Sequence, residues 1–414
     1  MANTVVTSTY IATETMRVLH NESAFLGAIN TQYDPMFAKQ GAKAGSTVYA
    51  RRPVQFTVRS GATANIQDVN ETTVPVVMQP EFGIDFQFSD FDLTLSLDNF
   101  RERYIMPAGK RLASELDYRI GQAMYQAVAN FSGTPGTPPA TAAALLNAAV
   151  YLDNHAAPRS DRIAALTPAA NAAMVSGMSG LFNDQATLGR QLKGGMMATN
   201  LGLDFTMSQN LPAHTAGTQG GTPLVNGANQ GLINSGSTDN PYGATTSLVT
   251  DGWTAAVAQR LNVGDVFTLA NVFEVNPETK QSTGNLRRFV VTAAASSDVS
   301  GNLTAIISPA IIAGGAYQNV TARPADNAAI TVVSGTSAQQ TLQNILFHKD
   351  AFTMVTADMD VPGGMDMAER VNFDGVSLRF VRGFDITNNR RISRFDILAG
   401  YAAVRPEWAV RVPN

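Results

Sequence analysis

Charged side chains between residues 50 and 71 are the clearest candidates for specific contacts. Arginines precede a polar segment and acidic residues follow it; the set is Arg51, Arg52, Arg59, Asp68 and Glu71. Guanidinium groups and carboxylates form charge-assisted hydrogen bonds, which makes this set a candidate for ion pairs with another subunit. The alternative is a solvated ribbon whose charges face water, and the residues alone favour this alternative. Because an exposed pair contributes only about 0–1 kcal/mol, the contacts would matter through repetition.

A second group of acidic residues follows residue 357. Its carboxylates are Asp358, Asp360, Asp366 and Glu369. Carboxylate oxygens are calcium ligands, but the segment lacks the regular alternation of a calcium loop and is interrupted by Pro362-Gly363-Gly364. We therefore interpret it as a solvated acidic loop and predict no metal site.

Signatures of catalysis or cofactor binding are missing from the sequence. There is no cysteine, which excludes thiol nucleophiles, thiolate metal sites and disulfides. The segment Lys193-Gly194-Gly195 lacks the residue order of a phosphate loop, and no serine occupies a G-x-S-x-G elbow. Metal-ligand spacing is also absent from the histidines, which are His20, His155, His214 and His348. We predict that the protein is not an enzyme and binds no cofactor, and that His348 is a packing or capping residue.

The composition favours a subunit of a larger assembly. The chain has 414 residues, of which 44% are hydrophobic and only 15% charged, whereas soluble domains usually carry about 25% charged residues. The net charge of −4 argues against a protein that wraps nucleic acid with its own basic surface. No segment has the run of apolar residues that a membrane span requires, and the first residues do not resemble a signal peptide. We expect synthesis in the cytoplasm and no membrane contact.

The stretch from residue 80 to residue 131 contains the strongest structural pattern. Phe82, Ile84, Phe86 and Phe88 alternate with more polar residues, which predicts a strand with one buried face. A helical stripe follows, formed by Ile105, Gly109, Leu112, Leu116, Ile120, Met124 and Ala127. The opposite, polar face carries Lys110, Arg111, Glu115, Asp117, Arg119 and Gln122. We predict a helix from about residue 105 to 130, about 40 Å long, with Pro107 in an early turn.

The flanking segments predict a mixed α+β protein with an inserted β-module. Residues 1–45 read as an arm with a short helix at 10–21, which we expect to dock on another body. Strand-like runs around residues 47–58 and 74–78 indicate a projecting hairpin. Helices are predicted at 140–152 and 169–178, with a strand at 162–166. Residues 213–247 are rich in Gly, Thr, Asn and Ser and contain turn signals. The short strands beyond them indicate a sandwich or barrel, which we place at about 222–345.

Three segments of the sequence resemble those of a known protein family. The first is Val272-Phe273-Glu274-Val275-Asn276-Pro277-Glu278-Thr279-Lys280 with Leu286-Arg287-Arg288-Phe289-Val290-Val291. The second is Leu346-Phe347-His348-Lys349-Asp350-Ala351-Phe352, and the third runs from Arg379-Phe380 to Arg405-Pro406-Glu407. In this order they resemble the major capsid (coat) proteins of tailed bacteriophages with the Hong Kong 97-type fold. The similar branch is that of short-tailed phages, whose coat proteins carry an inserted β-barrel domain.

The resemblance implies a specific domain plan. Residues 1–45 would be the N-terminal arm, 46–80 the extended loop, and 81–139 the peripheral domain with a long spine helix. The axial domain would comprise 140–221 and 346–370, interrupted by the inserted all-β domain at 222–345. Residues 371–414 would supply the closing strands of the peripheral and axial domains.

The resemblance also implies function and partners, and with it we predict that Arg51, Arg52, Arg59, Asp68 and Glu71 make ion pairs with another subunit. Subunits of this family form hexamers and pentamers that close into an icosahedral head around double-stranded DNA, so we expect the chain in the virion. A scaffolding protein and a portal would be its assembly partners, and contact with packaged DNA would be non-specific. Some relatives are cross-linked through an extended-loop lysine, but residues 48–88 contain no lysine. Two alternatives remain: the shell protein of a bacterial nanocompartment with the same fold, and a β-rich surface adhesin.

Overall fold

A computed structural model describes residues 8–33, 47–52, 72–89, 101–178, 201–231 and 245–414, together with the single positions 56, 61, 62 and 66. The α-helices in these ranges are α1 (Ser8–Glu22), α2 (Met106–Ala127), α3 (Ala142–Asn154) and α4 (Pro168–Met178). A π-helical turn, Arg101–Ile105, leads into α2, and short 3-10 helices lie at Lys349–Ala351 and Pro406–Trp408.

The strands of the described ranges are numbered in chain order. The first eleven are β1 (Asn30–Tyr33), β2 (Thr47–Arg52), β3 (Thr72–Val77), β4 (Phe82–Ser89), β5 (Arg162–Leu166), β6 (Asp204–Met207), β7 (Ala213–Thr215), β8 (Gly221–Val225), β9 (Thr246–Trp253), β10 (Ala258–Leu261) and β11 (Val266–Val275). The others are β12 (Ser282–Val291), β13 (Ala295–Ser297), β14 (Leu303–Ser308), β15 (Ile330–Val332), β16 (Gln340–His348), β17 (Phe352–Thr356), β18 (Met367–Phe373), β19 (Val376–Asp385), β20 (Arg390–Ile397), β21 (Ala399–Ala403) and β22 (Ala409–Pro413).

The chain divides into two compact units. Unit 1 contains residues 1–49, 75–120 and 352–402, and unit 2 contains residues 50–74, 121–351 and 403–414. Both units are built from segments that are distant in sequence. The described residues therefore form a mixed α+β protein with a discontinuous chain path.

Unit 1 is centred on a four-stranded sheet in the order β18-β19-β20-β4. The alternation of β4 does bury one side: Phe82 is buried while Gly83, Asp85 and Gln87 are exposed. Across the sheet Phe395 of β20 lies opposite Phe380 of β19, and their rings are 5.0 Å apart. The prediction of a half-buried strand is thus confirmed; the side chain of Phe88 lies outside the described residues.

The predicted N-terminal arm packs on its own unit. Helix α1 contacts α2, where Gly109 faces Val18; a Cβ at position 109 would lie 2.9 Å from Val18 Cγ1. Helix α1 also contacts the turn after β18, where His20 Nε2 lies 2.9 Å from a carboxylate oxygen of Asp374. The expectation that the described part of this arm docks on another body is therefore wrong, because its apolar stripe is buried within unit 1.

Helix α2 is the predicted spine, although it ends at Ala127 rather than near residue 130. Its stripe is buried as expected, with Leu112, Leu116 and Ile120 at most 2% exposed. Helix α2 ends earlier than predicted because of contacts with residues distant in the sequence. Asn130 Nδ2 donates to the carbonyls of Glu407 and Ala409, both at 3.0 Å, which holds this segment against the end of the chain instead of in a further helical turn.

Unit 2 contains an α/β core and a β-barrel. The core sheet has the order β22-β16-β5-β6, with β7 paired to the other end of β16. Helices α3 and α4 supply the apolar side chains of one core cluster, including Leu145, Leu152 and Met174. The predictions of α3, β5 and α4 are confirmed to within about two residues.

The β-barrel is a six-stranded sheet in the order β15-β11-β12-β14-β9-β8. Its two edges are joined, because Leu224 forms a bridge with Ala329 and Val225 N–H donates to Ala328 O at 3.0 Å. Closure removes the free edges that an open sheet would expose. The predicted barrel or sandwich is therefore present. Strands β8 and β9 were not predicted: β8 lies within the turn-rich residues 213–247, and β9 begins there.

Candidate functional site

The predicted contact residues are only partly described. Arg51 is exposed on β2, whereas Arg52 is buried and forms an ion pair with Glu407 of the same chain. Arg59, Asp68 and Glu71 lie outside the described residues. Inter-subunit pairing by this set therefore stays a prediction, and Arg52 already satisfies its charge within unit 2.

The segment around β2 and β3 also exposes apolar side chains. Tyr49 of β2 and Val77 of β3 are 64% and 45% exposed, and the single positions Phe56 and Ile66 are 59% and 91% exposed. Ordinary surfaces carry scattered apolar residues, but several large ones within one two-stranded sheet and its connection favour burial against a partner.

A buried ionic cluster connects α3 to the barrel inside unit 2. Arg287 Nη1 on β12 lies 2.7 Å from Glu274 Oε1 on β11 and 2.8 Å from His155 Nε2, just after α3. His155 Nε2 is also 2.8 Å from Glu274 Oε1, and its Nδ1 lies 2.8 Å from Tyr151 O. Since a carbonyl only accepts, Nδ1 carries a proton. Neutral His155 thus accepts from Arg287 at Nε2, and protonated His155 donates to Glu274.

The cluster stabilises the ionised form of Glu274. Burial by itself raises the pKa of this carboxyl, but hydrogen bonds and charges of His155 and Arg287 outweigh burial and lower the pKa to about 2. Removing one member of a buried ion pair usually costs about 3–5 kcal/mol because the other charge is left uncompensated. The cluster therefore fixes the barrel to α3 only while all its members are present.

A second buried cluster is organised by Asp265, at the start of the barrel strand β11. Its carboxylate lies 2.9 Å from His214 Nε2 and accepts hydrogen bonds from Ser334 Oγ at 2.8 Å and from the backbone N–H groups of Gly217 and Asn262. Burial acts to raise the pKa of Asp265, but these bonds lower it overall. The pKa of His214 is lowered by burial, which the bond to Asp265 offsets only in part.

This second cluster has the residue types of a hydrolytic triad without its geometry. Ser334 donates to Asp265 rather than to His214, so no base is placed to accept the serine proton, as a nucleophilic serine requires. Ser334, His214 and Asp265 are each at most 1% exposed, which leaves no access for a substrate. We interpret the cluster as a structural link between β7, the start of β11 and the segment after β15.

Arg411, on the last strand, is fully buried near the second cluster. Its Nε donates to Gln343 Oε1 at 3.0 Å and its Nη1 to Gly264 O at 2.5 Å. The guanidinium carbon lies 5.3 Å and 5.5 Å from the ring centroids of Tyr125 and Phe131, within cation–π range. Burial lowers its pKa to about 10. The end of the chain is thereby bonded to the barrel entry and to the segment after α2.

Unit 1 has its own buried carboxylate. Asp117 of α2 accepts hydrogen bonds from Ser23 Oγ at 2.5 Å and from Ala24 N at 2.9 Å, at the end of α1. The prediction that Asp117 lies on the solvent face of α2 is wrong, since it is 1% exposed. Burial raises its pKa, and the bonds from Ser23, Ala24 and Phe25 offset this only in part.

Two aspartates of the acidic segment after residue 357 form ion pairs. Asp358 lies 3.3 Å from Arg370 and accepts from Ser377 Oγ at 2.6 Å. Asp366 lies 3.1 Å from Arg382 and 2.7 Å from Arg391. The interpretation of a solvated loop is therefore wrong for Asp358, whose side chain is 5% exposed, whereas Asp360 and Asp366 are exposed as predicted. In the described ranges, no three metal-ligating side chains come together in a possible metal site.

Sequence reasoning missed most members of these clusters, although signals existed. Asp117 follows the buried Ala113 by four residues and precedes Ile120 by three, which places it at the edge of the apolar stripe. Glu274 shares strand parity with buried Val272. For His348 the prediction of packing and capping is confirmed, because it accepts from Asp350 N at 3.2 Å and its ring packs edge-on against Trp408.

These features describe a structural subunit, and comparison with known proteins identifies its family. The family model for the P22 coat protein, gene protein 5, matches residues 2–412. The chain therefore belongs to the P22 coat protein family. No helix among the described residues is long and apolar enough to span a membrane.

The chain is also similar to individual proteins. The chain is 22% identical over 376 residues to the major capsid protein of Acyrthosiphon pisum secondary endosymbiont phage 1, with 87% of each chain covered. Among solved structures it is similar to a Mycobacterium phage Che8 chain at 14% identity, covering 95% of this chain and 90% of that one with a TM-score of 0.45. A mature capsid chain of bacteriophage PhiM1 matches at 12% identity, 94% and 86% coverage and a TM-score of 0.43.

The protein is a bacteriophage major capsid protein and a component of the virion capsid. This confirms the resemblance found in the sequence. The nanocompartment shell is not favoured, and the family match gives no support to an adhesin.

Proposed function

We propose that this chain assembles as hexamers and pentamers into the closed icosahedral head that encloses double-stranded DNA. The observation that carries the proposal is the family match, which extends over residues 2–412. In this proposal the subunit has the Hong Kong 97-type fold. The proposed domain plan comprises the arm (1–45), extended loop (46–80), peripheral domain (81–139), axial domain (140–221 and 346–370), inserted β-domain (222–345) and closing strands (371–414).

The proposed shell is held together without covalent cross-links. Residues 48–88 contain no lysine, so an extended-loop lysine cannot act as a nucleophile here. The large exposed side chains of Tyr49, Phe56 and Ile66 instead supply apolar area, at about 25 cal/mol per Å² buried. Arg51, Arg59, Asp68 and Glu71 add ion pairs between neighbouring subunits, while Arg52 holds the base of the loop to Glu407.

The proposed partners follow from the same membership. Other copies of the chain form the capsomers, a scaffolding protein directs their closure, and a portal occupies one vertex. Packaged DNA touches the inner surface non-specifically, in keeping with a net charge of −4. The chain acts through assembly and not through catalysis.

Assembly of the purified chain tests this proposal. Sedimentation velocity and negative-stain electron microscopy are applied to the chain expressed alone and with the neighbouring genes of its phage. We expect capsomers or closed polyhedral particles, and a loss of closed particles when Tyr49→Ser and Ile66→Ser are combined. Val299→Ser, at a position 74% exposed in the turn between β13 and β14, is the control. A chain that stays monomeric under all conditions would contradict the proposal.

A further inference from the structure

A cavity in unit 2 lies where the segment after α2, the barrel and the 3-10 helix before β22 meet. Its volume is about 110 Å³, and a single water needs only about 10–15 Å³ on the same measure. The cavity therefore admits a ligand of several non-hydrogen atoms. Its lining residues are all buried or half-buried. The apolar part of the wall consists of Ala127, Ala129, Val275, Pro277, Pro309, Ile312 and Pro406.

Asn130 contributes to this wall a polar atom that has no hydrogen-bond partner among the described residues. The residue is 3% exposed, and its Nδ2 donates to the carbonyls of Glu407 and Ala409, both at 3.0 Å. Carbonyl oxygens only accept hydrogen bonds, so these two contacts fix which end of the amide is the nitrogen. The other end, Oδ1, accepts no hydrogen bond within the described ranges.

The unpartnered oxygen of Asn130 is accessible from the cavity. Some side-chain atoms of the described residues lack both a hydrogen-bond partner and accessible surface; they are Arg287 Nε, Arg288 Nε, Tyr401 Oη, Arg411 Nη2 and Asn414 Oδ1. Asn130 Oδ1 is not one of these atoms, so it retains accessible surface. Because Asn130 lines the cavity and is otherwise buried, that surface belongs to the cavity. The wall thus offers a ligand one free hydrogen-bond acceptor.

The other polar groups of the wall favour a neutral ligand. Arg287 and Glu407 are already engaged in ion pairs within unit 2. A cationic ligand would be repelled by Lys280 and Arg287, which both line the cavity. An anionic ligand would bring an acceptor against Asn130 Oδ1, which is itself an acceptor. A neutral hydroxyl can instead donate to this oxygen, and pairing a buried acceptor removes the cost of leaving it unpaired.

We propose that this cavity is a binding site for a small neutral alcohol or phenol, whose hydroxyl donates to Asn130 Oδ1. The apolar body of the ligand lies against the apolar part of the wall and removes it from water. Because the wall is built from segments that are distant in sequence, the bound ligand stabilises their packing within unit 2. This role is separate from the assembly proposed above.

Thermal unfolding of the full, unassembled chain in the presence of phenol, cyclohexanol or toluene tests this site. Toluene has a methyl group where phenol has the hydroxyl, so it fills the same space without a donor. We expect the better of the two alcohols to raise the Tm saturably, by about 1–3 °C at about ten times its Kd. Toluene should bind about threefold to tenfold more weakly than phenol, because it forms no hydrogen bond. The comparison of phenol with cyclohexanol shows whether the preferred apolar body is aromatic or aliphatic.

Ala127→Leu tests the location of the site, because it enlarges a half-buried residue of the cavity wall. This variant should lose the rise in Tm with both alcohols. Ala143→Leu is the matched control, since Ala143 is exposed on α3 and lies outside the cavity; it should respond like the wild type. A Tm that neither alcohol raises, toluene binding as tightly as phenol, or equal responses in Ala127→Leu and the wild type would overturn the proposal.

Discussion

Buried charged residues determine how the segments of this chain are joined. Asp117, Asp265, Glu274 and Arg411 are each at most 3% exposed, and each is bonded to groups distant in sequence. A buried charge is costly unless it is paired and hydrogen-bonded. If a partner segment were misplaced, one of these charges would be buried without its partner, at a high cost in free energy. These residues therefore help to select one fold more than they add net stability.

Replacing Glu274 with glutamine should destabilise the chain and change its response to acid. The folded-state pKa is lowered from 4.5 to about 2, so the stabilisation is fully present above pH 4.5 and is lost as the pH falls from 4.5 towards 2. At pH 7 we expect Glu274→Gln to lower the free energy of unfolding by about 3 kcal/mol. The difference from the wild type should shrink steadily as the pH falls from 4.5 towards 2. Urea unfolding at pH 7, 4.5 and 3 measures both effects.

The control for this measurement is Glu278→Gln, an exposed glutamate in the following turn. It should leave the stability near neutral pH within about 0.5 kcal/mol of the wild type. If Glu274→Gln lost stability between pH 4.5 and 3 as steeply as the wild type, the assigned role of the Glu274 carboxylate would be wrong.

At the level of elements, helix α2 could be predicted largely from its sequence. Its apolar stripe and the position of Pro107 identified the helix and its start, because helical periodicity is a local property. Its end at Ala127 depends on the hydrogen bonds of Asn130 to the chain terminus. Hydrogen bonds between residues so far apart in the sequence leave no local pattern from which the end of the helix could be predicted.

The contact between α1 and α2 gives a prediction at this level. Gly109→Ala would place a Cβ 2.9 Å from Val18 Cγ1 and 3.4 Å from Thr15 O. Overpacking costs typically about 1–3 kcal/mol and the gain in helix propensity is about 1 kcal/mol, so we expect net destabilisation of about 1 kcal/mol. Gly109→Val should cost more, because valine is larger and branched. Urea unfolding gives the change, and limited proteolysis reports release of α1.

Gly27→Ala is the control, because a Cβ there meets nothing within 4 Å. It should leave α1 as protected from protease as it is in the wild type. Faster cleavage in Gly27→Ala than in Gly109→Ala would contradict the assigned close approach.

The β-barrel was predictable as a class but not strand by strand. Short alternating runs between turns identified an all-β module. Strands β8 and β9 were missed because their Gly- and Thr-rich sequences have no apolar alternation beyond a few residues, and their pairing with other barrel strands decides their conformation. The ionic clusters could not be predicted from the sequence either, because their members are far apart in it. His155 and Glu274, for example, are 119 positions apart.

At the level of the whole molecule, the function was predicted from the family resemblance and not from any single motif. The ordered phrases of the sequence identified a phage capsid protein, which the family match confirms. The physical pattern alone predicted an α+β subunit of low charge and no catalytic site. It misjudged the described part of the N-terminal arm, because an amphipathic helix does not reveal whether its apolar stripe meets its own chain or another.

Cryo-electron microscopy of the assembled particles tests the central claim most directly. Particles produced by the chain with its neighbouring phage genes should show closed icosahedral shells in which this one chain forms both pentamers and hexamers. The segment with Tyr49 and Ile66 should lie at a boundary between subunits. Shells in which this chain is absent from the continuous lattice, or a lattice with both side chains facing solvent, would contradict the account.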